Sequence, residues 1–140
     1  MTIPDYTLLN HTADLAVRIR GADLTDLFEN SGRTLMHLMF GRELPCEGSA
    51  LEISLQAQDL DDLMVRWLSE ILYLLEGEHL VVTTVLIKAV TPLRLHASVR
   101  TVPFDPEMHE ILSEIKAITY HQIEVAQKVG HWEARVIMDV

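Results

Sequence analysis

The feature that most constrains the fold is a strand followed by a capped helix, a pattern that the chain carries twice. In the first copy, apolar and polar residues alternate over residues 15–19, which is the period of a half-buried strand, and Gly21 ends the strand. Asp23 has the character of a helix N-cap, and apolar residues follow it at three- and four-residue steps until Gly41. The sequence therefore predicts a strand and an amphipathic helix in direct succession.

The second copy lies 36 residues further along the chain, so that Asp59 repeats Asp23 and residues 51–55 repeat residues 15–19. A wide apolar helix face follows Asp59 and ends at Gly77. We interpret the two copies as an internal duplication of a strand–helix unit. The alternative is that any two capped amphipathic helices look alike, and the sequence leaves both interpretations open.

The C-terminal half has the pattern of strands rather than helices. Runs of β-branched or alternating apolar residues are separated by a turn at Thr91-Pro92 and a loop at Pro103–Glu107. Residues 114–128 are interpreted as one long strand or as two strands with a bend. The predicted fold is a single α+β domain over residues 1–140. It has a largely antiparallel or mixed β-sheet, two main helices packed on one face and a strand-rich C-terminal half.

Composition narrows the class of protein. Apolar residues make up 49% of the chain, but no run reaches the ~20 continuous apolar residues of a membrane helix. The N-terminus lacks a signal peptide pattern and the single Cys46 cannot form an internal disulfide, so we expect a cytoplasmic protein that does not bind a membrane.

The charge of the chain is strongly negative, since eleven basic against twenty-one acidic residues give a formal charge of −10. Because nucleic-acid affinity comes largely from Lys and Arg, we expect a protein partner or a cation rather than direct nucleic-acid binding.

Motifs of catalysis are missing from the sequence. Seven histidines and one cysteine show no zinc-ligand spacing, since His109 and His121 lie twelve residues apart and no His-x-x-x-His occurs. The chain also has no Gly-x-Ser-x-Gly nucleophile motif and no Gly-rich phosphate loop. A hydrolase or a nucleotide-binding enzyme therefore finds no support in the sequence.

Acidic residues near the two ends of the chain are the candidates for a site. Asp14 follows a polar break at residues 10–13, and Asp139 stands one residue before Val140. Two Asp side chains and a terminal carboxylate are the ligands that a hard cation such as Ca²⁺ or Mg²⁺ prefers. Spacing alone favours the plainer interpretation that Asp14 caps a turn and Asp139 is a frayed terminal residue. Lys116 either faces solvent or pairs with a carboxylate near a site.

Four separated segments of the sequence stand out together; they are His11-Thr12-Ala13-Asp14, Asp59–Leu63 with Trp67–Tyr73, Ile115–His121, and Arg135–Val140. In the same order and over a similar length, they resemble the archease family. Four motifs that agree in order are far more specific than any one of them.

The resemblance implies a small, non-catalytic cytoplasmic protein that activates the RtcB-type RNA ligase of tRNA splicing and RNA repair. In that family the protein promotes guanylylation of the ligase and its multiple turnover. The resemblance also implies a divalent cation, typically Ca²⁺ with Mg²⁺ or Mn²⁺ as alternatives, held by Asp14, Asp139 and Val140. Lys116 and His11 are carried over as functional residues for ligase activation.

The chain departs from the family pattern at three places. Asn10 stands where an acid is frequent, Thr101-Val102 where Gly-Glu is expected, and Met108 where an Arg is common. These departures concern the charge near the site and the loop of residues 104–109, and they leave the implied metal ligands unchanged. Two other classes stay open. A stand-alone metal-dependent enzyme would turn over without a partner, and a chaperone-like structural module would keep its function after loss of the metal.

Overall fold

The computed structural model describes residues 3–9 and 14–140, and within these ranges the chain forms two helices and eight strands. The helices are α1 (Leu24–Phe40) and α2 (Leu60–Glu76). The strands are β1 (Tyr6–Leu9), β2 (Leu15–Gly21), β3 (Ser49–Gln56), β4 (Leu80–Thr91), β5 (Arg94–Pro103), β6 (Ala117–Ile118), β7 (Glu124–Lys128) and β8 (His131–Asp139).

The strands divide into two antiparallel sheets. In the first, β1 pairs with β2, β2 pairs with β8, and both β6 and β7 pair with the other edge of β8. In the second, β5 lies between β3 and β4. The predicted α+β class with two helices and antiparallel strands is confirmed. The division into two sheets was not foreseen, and each helix contacts strands of both sheets because its buried side chains cover a wide face.

Both helices begin at the predicted caps, through the same local hydrogen bonds. The Asp23 carboxylate accepts the backbone N–H of Asp26 at 2.8 Å, and the Asp59 carboxylate accepts that of Asp62 at 2.8 Å. In return, Asp26 and Asp62 each accept the N–H of the residue that precedes the cap. The two strand–helix units therefore share their cap chemistry, although their strands lie in different sheets, and their common origin stays a prediction. Neither helix is long and apolar enough to cross a membrane, as far as the described residues show.

The core is built on the contact between the two helices. Trp67 on α2 is fully buried, and its indole Nε1–H donates to the carbonyl oxygen of Phe28 on α1 at 2.9 Å. Gly32 on α1 permits this close approach, because a Cβ atom there would lie 3.1 Å from side-chain atoms of both Trp67 and Ile71. The helices are thus joined by packing and by one buried hydrogen bond.

Of the two interpretations of residues 114–128, the structure has the two strands with a bend, and the strands are shorter than the predicted segment. Only Ala117–Ile118 and Glu124–Lys128 are strands, and the segment between them turns, with Gln122 in the left-handed region at φ 53°. Between the two strands, the N–H of Ile123 donates back to the carbonyl oxygen of Tyr120 at 3.3 Å, and the Tyr120 hydroxyl donates to the Asp62 carboxylate on α2 at 2.6 Å. These bonds within the turn and to α2 interrupt the pairing with β8.

Candidate functional site

The pairing of β2 with β8 brings the two predicted acids to neighbouring positions. The register ends at Leu15 opposite Met138, so that Asp14, which precedes Leu15, and Asp139, which follows Met138, both stand next to this last pair. Asp14 is half-buried and Asp139 is exposed. The sequence candidates Asp14 and Asp139 are therefore neighbours at one end of the first sheet.

Asp139 is held from its other side by the segment that contains Lys116. The N–H of Lys116 donates to the carbonyl oxygen of Asp139 at 2.7 Å, and Ala117 pairs with Asp139 in the sheet. One step further, the N–H and the hydroxyl of Thr119 both donate to the carbonyl oxygen of Ile137, at 3.1 and 2.8 Å. The structure thus brings the main chain of Lys116 next to the acids, while its side chain is exposed.

Val140 is the third predicted ligand of the metal site. Val140 follows Asp139 directly and is 45% exposed. His11 and Asn10 lie outside the described residues. The predicted donor set contains two acidic side chains and one main-chain carboxylate, all hard oxygen ligands that fit Ca²⁺ or Mg²⁺. Within the described ranges, no three His, Cys, Asp or Glu side chains gather as metal ligands. The metal site stays a prediction.

Acids at the start of α2 position the segment that follows Lys116, a role that the sequence did not reveal. The hydroxyl of Tyr120 donates to the Asp62 carboxylate at 2.6 Å, and Asp61 accepts the N–H of Val125. The bond from Tyr120, followed by that from the Gln58 N–H, lowers the pKa of Asp62, and the same carboxylate raises the pKa of Tyr120. The only signal in the sequence was that Asp61, Asp62 and Tyr120 belong to the second and third family-like segments.

A Tyr120→Phe variant is expected to raise the pKa of Asp62 toward its ordinary value, because the donating hydroxyl is removed. A lowered carboxyl pKa stabilises the fold above the ordinary carboxyl range, and that contribution is lost as the pH falls through the lowered pKa. We therefore expect a loss of at most about 1 kcal/mol at pH 7, since the bond is exposed to solvent. The difference from wild type should shrink in acid. Carboxyl ¹³C NMR titration and urea unfolding measure both effects.

Tyr73→Phe is the matched control for this experiment. The Tyr73 hydroxyl donates to Glu78 at 3.1 Å near the other end of α2, so its removal should leave the pKa of Asp62 unchanged. An Asp62 pKa that is the same in wild type and Tyr120→Phe would contradict the assigned hydrogen bond.

Arginines share the outer face of the first sheet with Asp14 and Asp139. Arg18 lies directly opposite Arg135, and Arg20 lies opposite Glu133. The Glu133 carboxylate is 3.8 Å from Arg18 and 3.5 Å from Arg20, and its pKa is lowered by the hydrogen bond to His131 first and by these arginines after it. Four residues along a strand are about 13 Å, which exceeds the screening length of ~8 Å at physiological salt. The arginines and Glu133 therefore form a separate group of charges on this face.

The loop of residues 104–109 is organised around a buried histidine. His109 accepts the N–H of Asp105 on its Nδ1 at 3.0 Å and stacks on Phe104 at a centroid distance of 6.0 Å. Met108, one of the departures from the family pattern, is 58% exposed, and its carbonyl oxygen accepts from Arg42 at 2.6 Å. Thr101, a second departure, is buried in β5. The pairing of β2 with β8 involves none of these residues.

Comparison with known protein families gives a match over almost the whole chain. The model of the Archease protein family (MTH1598/TM1083) matches residues 6–140. Among curated proteins, protein archease of Methanosarcina mazei is 31% identical over 139 residues, which covers 96% of this chain and 95% of that protein. Protein archease of Pyrococcus furiosus is also 31% identical, over 93% of this chain and 94% of that protein.

Solved structures agree with the fold. The solution structure of protein 1598 of Methanobacterium thermoautotrophicum has a TM-score of 0.72 at 27% identity and covers 96% of this chain and 98% of that one. The crystal structure of an archease from Thermotoga maritima, described as a possible chaperone, has a TM-score of 0.61. At 19% identity over 94% of both chains, that second likeness concerns the fold alone.

Proposed function

The chain belongs to the archease family, and on that premise we propose that it is a non-catalytic, divalent-metal-binding activator of an RtcB-type RNA ligase. It promotes guanylylation of the ligase and its multiple turnover, in tRNA splicing or in RNA repair. The protein acts in the cytoplasm, where its exposed single thiol, Cys46, stays reduced.

The observation that carries the proposal is the register of β2 and β8. It supports the proposal because Asp14 and Asp139 flank the same terminal pair, Leu15 and Met138, and two like charges that lie close together in a sheet destabilise each other unless a cation lies between them. Asp14, Asp139 and the carboxylate of Val140 would hold the cation, with Ca²⁺ the best fit to an all-oxygen donor set. When bound, the cation supplies a fixed positive charge at the end of the sheet.

The chain's own contribution is to hold these groups in place for a partner. Lys116 is fixed by its N–H bond to Asp139, and the Tyr120–Asp62 bond anchors the segment that follows Lys116 to α2. The formal charge of −10 suits a partner that presents basic surface near its RNA site, and it disfavours direct binding of RNA by this chain. We therefore propose a protein–protein contact in which the end of the first sheet that carries Asp14 and Asp139, together with Lys116, faces the ligase.

The test is a guanylylation assay of the ligase with and without this protein, followed over several turnovers. We expect faster guanylylation and more product than one equivalent per ligase. A rate that stays the same with active, soluble ligase would refute activation. RNA ligation or nucleotide hydrolysis without the ligase would indicate an enzyme instead. A gain in soluble ligase without a gain in rate per active ligase would indicate a chaperone-like module.

A C-terminal Gly-Ser-Gly extension after Val140 tests the carboxylate ligand. We expect the extended protein to bind Ca²⁺ about tenfold or more weakly in calorimetry, because one charged oxygen ligand is replaced by a neutral peptide group. The control is the same extension at the N-terminus, which should leave Ca²⁺ affinity unchanged. Equal affinity of the C-terminally extended and wild-type proteins would remove Val140 from the ligand set.

A further inference from the structure

β3 is an open edge of the second sheet. Among the described residues it pairs with β5 alone, and the N–H of Ala57 donates to the carbonyl oxygen of Leu93 at 2.9 Å as a continuation of that ladder. Because bonded residues alternate along an antiparallel pair, the odd-numbered residues of β3 bond to β5. The even-numbered residues therefore direct their N–H and C=O groups away from the sheet; they are Ala50, Glu52, Ser54 and Gln56.

The other edges of the described sheets are short or capped, which sets β3 apart. β1 has four residues. The β4 edge has two register shifts, and the N–H of Ile87 on it donates to the Glu29 carboxylate at 2.9 Å. On β7, Asp61 accepts the N–H of Val125. β3 has eight residues in unbroken register, with no Pro, Lys or Arg, and no side chain in the described part of the chain caps its backbone. An edge of this kind is a template for another strand.

A groove runs along this edge, between β3 and one face of α2. Two adjoining cavities of about 440 and 410 Å³ form it and share Ser54, Leu55, Glu70 and Tyr73. We call it the β3–α2 groove. An eight-residue strand is about 26 Å long, so the groove offers room for an extended segment rather than for a small molecule.

The walls of the β3–α2 groove are partly apolar and carry negative charge. Leu51 is 36% exposed and Tyr73 is 52% exposed, so both offer apolar surface beside the strand edge. Glu70 lines both cavities and Glu78 lines one. The one cation in the lining, Arg66, is already paired with Asp62 at 2.9 Å.

We propose that the β3–α2 groove binds an extended segment of a partner protein, which adds to β3 as a further strand and carries both apolar and basic side chains. The outward N–H and C=O groups of β3 supply the main-chain bonds. The apolar side chains of the segment pack on Leu51 and Tyr73, and its Lys or Arg side chains lie near Glu70 and Glu78. A second copy of this chain is a poorer occupant, because it would bring two sets of these acids together.

The proposal does not rest on the proposed function. The groove belongs to the second sheet, whereas Asp14 and Asp139 end strands of the first. Binding to the groove is tested with a peptide and without a ligase, so the two proposals fail separately.

The test uses an eight-residue peptide of alternating Lys and Val with blocked ends, titrated into ¹⁵N-labelled protein. We expect saturable shifts at the amides of residues 50, 52, 54 and 56, and slower hydrogen exchange of these four amides. A peptide of alternating Glu and Val should not bind. Binding without protection of the four amides would overturn strand addition.

Two variants assign the binding to the groove. The double variant Glu70→Lys, Glu78→Lys should weaken peptide binding at least about tenfold, whereas Glu107→Lys, an exposed acid outside the groove, should not. Ser54→Pro removes one outward N–H and keeps the bonds to β5, so it should also weaken binding while circular dichroism stays that of wild type. Equal weakening by Glu107→Lys would show non-specific attraction and overturn the proposal. A dimer of the free protein that protects the same four amides would also overturn it.

Discussion

Asp139→Ala is expected to lose its stimulation of ligase guanylylation and to bind Ca²⁺ at least about tenfold more weakly, while the fold stays intact. The reason is that the carboxylate is one of three proposed charged ligands, whereas the hydrogen bond that joins Asp139 to Lys116 uses the main-chain carbonyl, which alanine keeps. Asp139 is also exposed, so its side chain fills no core space. Calorimetry with Ca²⁺ and the guanylylation assay measure the two losses.

Asp14→Ala should give the same losses, since Asp14 and Asp139 flank the same terminal pair of β2 and β8, and both carboxylates are proposed ligands. Asp139→Asn keeps the shape and removes the charge, so it separates the effect of charge from that of side-chain volume. Asp5→Ala is the matched control, an exposed acid that precedes β1 of the same sheet, and it should behave as wild type. Full stimulation of the ligase by Asp14→Ala or by Asp139→Ala would contradict the assignment of the site.

Trp67→Ala is expected to lower the free energy of unfolding by about 3–5 kcal/mol. The substitution leaves a cavity between α1 and α2, and it also leaves the carbonyl oxygen of Phe28 without its indole donor. A loss of this size is a large part of the ~5–15 kcal/mol that stabilises a typical domain. Urea unfolding followed by circular dichroism measures the difference, and it should show an earlier midpoint with a similar slope.

Two further variants separate packing from hydrogen bonding at this position. Trp67→Phe keeps most of the apolar volume and removes the N–H, so we expect a smaller loss than in Trp67→Ala. Tyr73→Ala, an exposed aromatic residue on the same helix, should cost less than about 1 kcal/mol. If Trp67→Ala unfolded at the same urea concentration as wild type, the helix contact would not be the centre of the core.

The helices and their ends could be predicted because the chemistry that sets them is local. An aspartate accepts the N–H of a residue three positions further on, and both partners are visible in any short window of sequence. The left-handed conformation of Gly41 at φ 68°, which ends α1, is equally a property of one residue type. The alternation over residues 15–19 and 51–55 gave strands for the same reason.

The segment of residues 114–128 could not be predicted in the same way. Its apolar residues suit a strand, but whether a strand forms depends on what its backbone groups meet. The N–H of Lys116 donates to the carbonyl oxygen of Asp139, and that of Val125 donates to the Asp61 carboxylate. The hydroxyl of Tyr120 donates to the Asp62 carboxylate. These partners lie between about 20 and 65 residues away along the chain, beyond the reach of a local pattern.

The sequence by itself determined the two capped helices, the strand pattern and the chemical type of the candidate residues: two acids near the chain ends and a lysine in an apolar run. Only the tertiary structure decided that Asp14 and Asp139 flank the same terminal strand pair, that the strands form two sheets, and that β3 keeps a free edge among the described residues. The physical reason is that strand pairing joins distant residues, more than 100 positions apart for β2 and β8, and the choice among such pairings is made by burying faces of both strands against the same helices.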